Sequence, residues 1–204
     1  MQIAKRLKQR ILPCAIASAL ALGTLAGCAT QPETGKQADA RASTPIAGKS
    51  AEKQHYFLVK HENGRLYAFG DVKNYLLFLE HDEVPLTRTR IGGGPEGQTV
   101  IFGITGEEGK ALDRPSSGEM FFDGKIGQVG PFYGEVVANG RYHVFGEWQD
   151  FRDYLAHKEI ALAYTEIGVG PKGETVVYAL NRNTKDQGRP VALIEAFKQL
   201  RQGR

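Results

Sequence analysis

Two stretches of the 204-residue chain have the spacing that phosphate chemistry needs. Gly92-Gly93-Gly94-Pro95-Glu96-Gly97 and Gly168-Val169-Gly170-Pro171-Lys172-Gly173 both satisfy G-x-G-x-x-G. In a dinucleotide site that loop opens a helix whose N-terminus receives the pyrophosphate. Here the loops lead into Thr99-Val100-Ile101-Phe102 and Thr175-Val176-Val177-Tyr178, which read as strands. Hairpin turns are therefore expected, and no nucleotide. His81-x-Glu83 and His157-x-Glu159 offer two imidazoles and two carboxylates, a donor set suited to a divalent metal. A histidine at a helix C-terminus beside a glutamate also serves to end the helix. These four residues stand as weak metal candidates, with no cofactor expected. Nucleophilic catalysis has little to use, since beyond the N-terminal 54 residues the only serines are Ser116 and Ser117, in a turn-forming Arg-Pro-Ser-Ser-Gly run, and no G-x-S-x-G elbow is present. No catalytic residue is assigned.

The elements around these residues form an internal repeat. Asn63-Gly64-Arg65 recurs as Asn139-Gly140-Arg141, and the ungapped offset of 76 holds to Thr105, with 17 identities in 43 positions. Asn-Gly between apolar runs predicts a type I′ hairpin in each copy. Val72, Tyr75, Leu76 and Leu79 follow helical spacing, as do Trp148, Phe151 and Leu155, each series led by an acidic residue. Leu86–Thr105 and Leu162–Asn181 each predict a second hairpin. The expected fold is α+β: a tandem β-β-α-β-β unit giving up to eight mainly antiparallel strands, with helices on one face. A final amphipathic helix follows Pro190, carrying Val191, Ile194, Phe197 and Leu200. The segments are residues 55–105 (repeat 1), 106–131 (connector), 132–181 (repeat 2) and 182–204 (C-terminal helix region).

Residues shared by both copies are explained by a shared scaffold, so the connector, where the copies differ, is the most informative region. It mixes Glu107, Glu108, Arg114 and Asp123 with Phe121 and Phe122. Long connectors in compact domains often carry function, and aromatic anchors flanked by charge suit an interface. Packing of Phe121 and Phe122 between the two units is the alternative. These six residues are the partner-binding candidates.

The N-terminus bears on location. Lys5, Arg6, Lys8 and Arg10 precede a largely apolar run, Ile11–Thr24, too short to span a bilayer but suited to a signal peptide. Leu25-Ala26-Gly27-Cys28 resembles the lipobox of bacterial lipoproteins. The resemblance implies that residues 1–27 are a signal peptide and that Cys28 is acylated, two or more chains giving a stable anchor. Ala29 in place of Asp after the cysteine implies sorting to the outer membrane, facing the periplasm. Removing the signal peptide leaves 22 basic against 23 acidic side chains, a formal charge of −1 (22 − 23), which removes the main support for a nucleic-acid partner. Cys14 would leave with that peptide, and Cys28 is the only other cysteine, so disulfides, thiolate metal sites and a thiol nucleophile are excluded from the folded part. Residues 28–54 are small and polar with one larger aliphatic, Ile46, and read as a flexible tether reaching roughly 28 Å.

These features point to a non-catalytic, outer-membrane-anchored lipoprotein that binds a periplasmic protein. Leu86-Thr87-Arg88-Thr89-Arg90-Ile91-Gly92, with Tyr67-Ala68-Phe69-Gly70-Asp71, resembles periplasmic immunity lipoproteins that accompany type VI secretion phospholipase effectors. That resemblance implies a toxin as partner, with Glu107, Glu108 and Asp123 meeting its basic phosphate pocket. An envelope enzyme or metal-binding factor using the His-x-Glu pairs, and a structural assembly lipoprotein, are the alternatives.

Overall fold

The computed structural model describes residues 53–126 and 130–203; the lipobox, Cys28 and all of the tether but residues 53 and 54 lie outside the described residues. Eight strands form one mixed, mainly antiparallel sheet: β1 (Gln54–Lys60), β2 (Leu66–Phe69), β3 (Thr87–Arg90), β4 (Val100–Gly103), β5 (Phe132–Ala138), β6 (Arg141–Phe145), β7 (Leu162–Glu166) and β8 (Thr175–Leu180). Their order across the sheet is β3-β4-β2-β1-β5-β6-β8-β7. The five helices are α1 (Val72–His81), α2 (Gly106–Lys110), α3 (Ser117–Phe122), α4 (Trp148–His157) and α5 (Val191–Gln202).

Each half pairs in the same way. β1–β2 and β5–β6 are antiparallel, β2–β4 and β6–β8 parallel, and β3–β4 and β7–β8 antiparallel. The halves join through β1 and β5, which run parallel with Phe57 opposite Glu135. These directions place both glycine-rich loops, at 91–99 and 167–174, at the same end of the sheet as the hairpin turns.

The helices cover both faces rather than one. Tyr56 and Leu58 of β1 pack with Phe121 of α3 and with Trp148, Phe151 and Tyr154 of α4. Their neighbours Phe57 and Val59 pack with Tyr75 and Phe78 of α1 and with Ile194 and Phe197 of α5. Consecutive strand residues point to opposite sides, so the sheet is the middle of three layers.

The cause is a single turn residue. Asn139 and Gly140 both hold positive φ, 53° and 67°, in the two-residue turn expected of a type I′ hairpin. The first turn departs from that expectation: His61 N–H donates to the Arg65 carbonyl (3.0 Å), only Gly64 holds positive φ, and three residues, 62–64, form the loop. The pairing shifts by one residue as a result, Phe57 facing Phe69 in one half and Gly134 facing Phe145 in the other. A one-residue slip turns every side chain over. Phe69 consequently joins the α1/α5 core and Phe145, 76 positions on, the α3/α4 core. The helix that follows each strand is carried to its own side.

Local signals hold the helices. The Asp71 carboxylate accepts from Asn74 N–H (2.9 Å), capping α1. The buried Asn74 side chain donates to the Ile104 carbonyl (3.1 Å), tying α1 to the end of β4. At the corresponding place Asn181 donates to Asp150 of α4 (3.1 Å). Tyr75 stacks on Phe57 with ring centroids 4.0 Å apart, a contact worth about 0.5–1.5 kcal/mol beyond its burial.

Candidate functional site

The connector is not an open loop. Thr105-x-x-Glu108 and Ser116-x-x-Glu119 are capping boxes, each hydroxyl accepting from the N–H three residues on while the glutamate accepts from the cap N–H. They start α2 and α3 in a stretch whose composition reads as a turn. The signal was in the sequence as S/T-x-x-E, and the Gly-Lys and Arg-Pro neighbours masked it.

Glu108 does more than cap α2. Its second oxygen accepts from the Ser117 N–H (2.7 Å) and hydroxyl (2.8 Å), joining α2 to α3. Burial pushes the Glu108 carboxyl up, but the hydrogen bonds from Ser117 and Thr105 outweigh it and hold the group below its ordinary range. Glu119 follows the same logic, burial opposed by Ser116 and Arg88, again with a net lowering. Asp123 is lowered by its bond from Arg90 (2.6 Å), which wins over modest burial.

Arg88 binds this segment to the sheet edge. From β3 its guanidinium donates to the carbonyls of Arg114 (2.5 Å), Glu108 (3.0 Å) and Ala111 (3.2 Å) and to the Glu119 carboxylate (2.9 Å). Such a planar fork of donors suits several fixed acceptors at once. Arg90, two residues on, lies over the Phe102 ring (5.0 Å) while it holds Asp123. The residue 76 positions later is Glu166, which accepts from Arg189 (2.7 Å). The same place in each half is thus bound with the charges exchanged.

Of the six sequence candidates, four are engaged inside the molecule. Phe121 is buried, stacked on Tyr56 (5.0 Å) and edge-on to Trp148 (5.5 Å). Phe122 packs edge-on to Phe102 (5.5 Å). Glu108 and Asp123 are occupied as above. Glu107 and Arg114 face solvent. Between them lies a residue the sequence reading passed over: Leu112, 73% exposed, followed by the exposed pair Asp113 and Arg114. The segment is therefore a braced platform that holds up an apolar tip at residues 111–115.

The other candidates do not assemble. His81 and Glu83 end α1 on one side of the sheet, and His157 and Glu159 end α4 on the other; all four are exposed. Among the described residues no three His, Cys, Asp or Glu side chains come together to hold a metal. Both glycine-rich loops are tight turns: Gly94 N–H donates to Gln98 and Gly97 N–H to Gly94, a pattern repeated by Gly170, Glu174 and Gly173. Strands follow each loop, as the sequence indicates.

One charged cluster had no local signal. Glu135, in the middle of β5, is fully buried and accepts two bonds from Arg201 of α5 (2.9 and 2.7 Å), one from Tyr133 (2.5 Å) and one from Tyr75. Arg201 lies 3.6 Å from the Phe197 ring centre. Burial raises the Tyr75 and Tyr133 phenols, and Glu135 adds to it. Burial disfavours the Arg201 cation, yet Glu135 more than compensates and its proton is held more tightly than usual. The cluster pins the last helix to the sheet centre.

Comparison with protein-family models, with curated proteins and with solved structures finds no match to this chain.

Proposed function

We propose that this chain is a lipid-anchored envelope protein that binds a protein partner through Glu107 and the 111–115 tip and performs no bond chemistry. The supporting observation is the display of Leu112: an apolar side chain 73% exposed on a loop whose three backbone carbonyls are gathered by one arginine. A loop held in one conformation before binding loses less entropy on association. An exposed aliphatic knob beside Glu107 and Arg114 supplies a small apolar contact with a charged rim. The anchor at Cys28 and the periplasm-facing outer membrane follow from the lipobox resemblance.

The partner in this reading is a secreted phospholipase-type toxin, which the chain neutralises as an immunity protein. Charge mimicry by three acids loses two members, because Glu108 and Asp123 are held by Ser117 and Arg90. Glu107 remains available, and Leu112 becomes the main contact. Leu112→Glu tests this. Capture of a phospholipase from envelope extracts by the wild-type chain, and inhibition weakened at least tenfold by the variant at unchanged melting temperature, is the expected result. Equal inhibition by both proteins overturns it.

The matching pair relations in the two halves support a further part of the proposal, that the fold is a tandem duplication of one β-β-α-β-β unit. On that reading an alignment of β1 with β5 needs offset 77, one more than the rest, to absorb the extra residue at 62–64. Tyr56 and Val59 then meet Tyr133 and Val136.

A further inference from the structure

The two faces of the sheet are built alike but filled differently. On one face Trp148, the first residue of α4, lies between its helix and α3, touching Tyr56 of β1, Phe121 and Phe132 of β5. The corresponding first residue of α1 is Val72. On its face, between α1 and α5, a groove of about 670 Å³ remains, floored by Tyr133 and walled by Val72, Leu76, Leu77, Ala196 and Leu200. Two of those positions are apolar against the trend of the fold: where α1 has Leu76 and Leu77, α4 has Arg152 and Asp153. Lys53 and Lys73 stand at the groove, Lys53 5.9 Å from the Tyr133 ring centre; His55 and one carboxylate, Glu80, also line it, so the two lysines outnumber the single acid.

The width decides what fits. α1 packs over β2 and α5 over β6, three strand spacings apart, or roughly 14 Å at about 4.8 Å per spacing. A helix with its side chains occupies about 10–12 Å, which leaves a slot of roughly 2–4 Å, room for one hydrocarbon chain at most. A third helix would need about 8–10 Å from each neighbouring axis. We propose that the groove between α1 and α5 binds a single-chain anionic amphiphile, its acyl chain along Val72, Leu76 and Leu200 and its head group at Lys53 and Lys73. Removing that chain from water supplies the affinity, and the lysines select the charge. The site lies on the face opposite α3 and is independent of the Leu112 tip.

The test uses residues 28–204 carrying Cys28→Ser and made without the signal peptide, a chain that offers no thiol for acylation and needs no detergent. Calorimetric titration with dodecanoate, lysophosphatidylglycerol and dodecanol is expected to give saturable 1:1 binding of at least one anion, at least fivefold tighter than the alcohol. The two anionic arms tell a carboxylate head from a phosphodiester. Val72→Trp, which installs the residue of the other face, is expected to weaken binding at least tenfold, as is Leu77→Asp. Lys73→Gln should narrow the gap between anion and alcohol. Saturable binding absent for both anions, binding unchanged in both groove variants, or equal affinity for dodecanol overturns the proposal. So does loss of an envelope protein, with no amphiphile bound, on introducing Val72→Trp.

Discussion

Replacing Arg201 by leucine leaves a charge in the centre of the protein without its counter-ion. Glu135 is fully buried and Arg201 nearly so, and two of the four hydrogen bonds to the carboxylate come from the guanidinium. Removing one partner of such a pair costs about 3–5 kcal/mol, because the remaining charge keeps its desolvation penalty and loses its attraction. For a folded unit of this size 1 kcal/mol corresponds to about 2–4 °C, so Arg201→Leu should lower the melting temperature by roughly 6–20 °C. Removing both charges is different. Glu135→Gln with Arg201→Leu deletes the desolvation penalty together with the attraction while keeping an amide oxygen to accept from Tyr75 and Tyr133, so the double variant should recover at least half of the loss. Thermal melts followed by near-ultraviolet circular dichroism, which reads Tyr75 and Tyr133 packing, give all four corners of the cycle. A single-variant loss below about 1 kcal/mol, or a double variant as unstable as the sum of the singles, would refute the account of the cluster as a coupled ion pair.

Glycines at one place in the two halves should respond unequally. A β-carbon on Gly70 would sit 2.1 Å from the Ser117 hydroxyl and 2.8 Å from the Gly118 nitrogen, whereas on Gly146 the nearest atom is Leu193 Cδ1 at 3.6 Å. Gly70→Ala should therefore destabilise by about 1–3 kcal/mol in urea titration, and Gly146→Ala by less than about 0.5 kcal/mol. Acid should loosen the connector. Glu108, Glu119 and Asp123 titrate lower folded than unfolded, so their stabilisation is complete above the ordinary carboxylate range near pH 4 and is lost as pH falls through the depressed folded values. Fluorescence of Trp148, which touches Phe121 of α3, should report a transition below about pH 4 that flattens in Glu108→Gln. Arg88→Gln should leave the sheet folded but raise hydrogen exchange at residues 111–114, since three carbonyls lose their donor.

Much of the scaffold was legible because its signals are local. Asn139-Gly140, the helical spacing of Tyr75 and Phe151, and Pro190 ahead of Ile194 and Phe197 each act within a few residues of chain. The site was less legible. Phe121 and Asp123 looked like contact residues because an aromatic cluster beside acid has the same composition whether it faces a partner or a core. Their fate depends on Tyr56, 65 positions away, and on Arg90, 33 positions away. Glu135 was invisible for the same reason: nothing near it in the chain announces Arg201, 66 positions on.

The chain by itself determined the eight strands and the helices α1, α4 and α5, though not α2 and α3, and that the residues after 63 and after 139 follow one pattern. Tertiary structure alone decided which side of the sheet each helix covers. That choice turns on one residue in the 62–64 turn, and side chains alternate along a strand with period two, so a single step exchanges the faces. It also decided that Trp148 closes one helix pair while Val72 leaves the other open, a difference two similar positions acquire only once the layers they enter are in place.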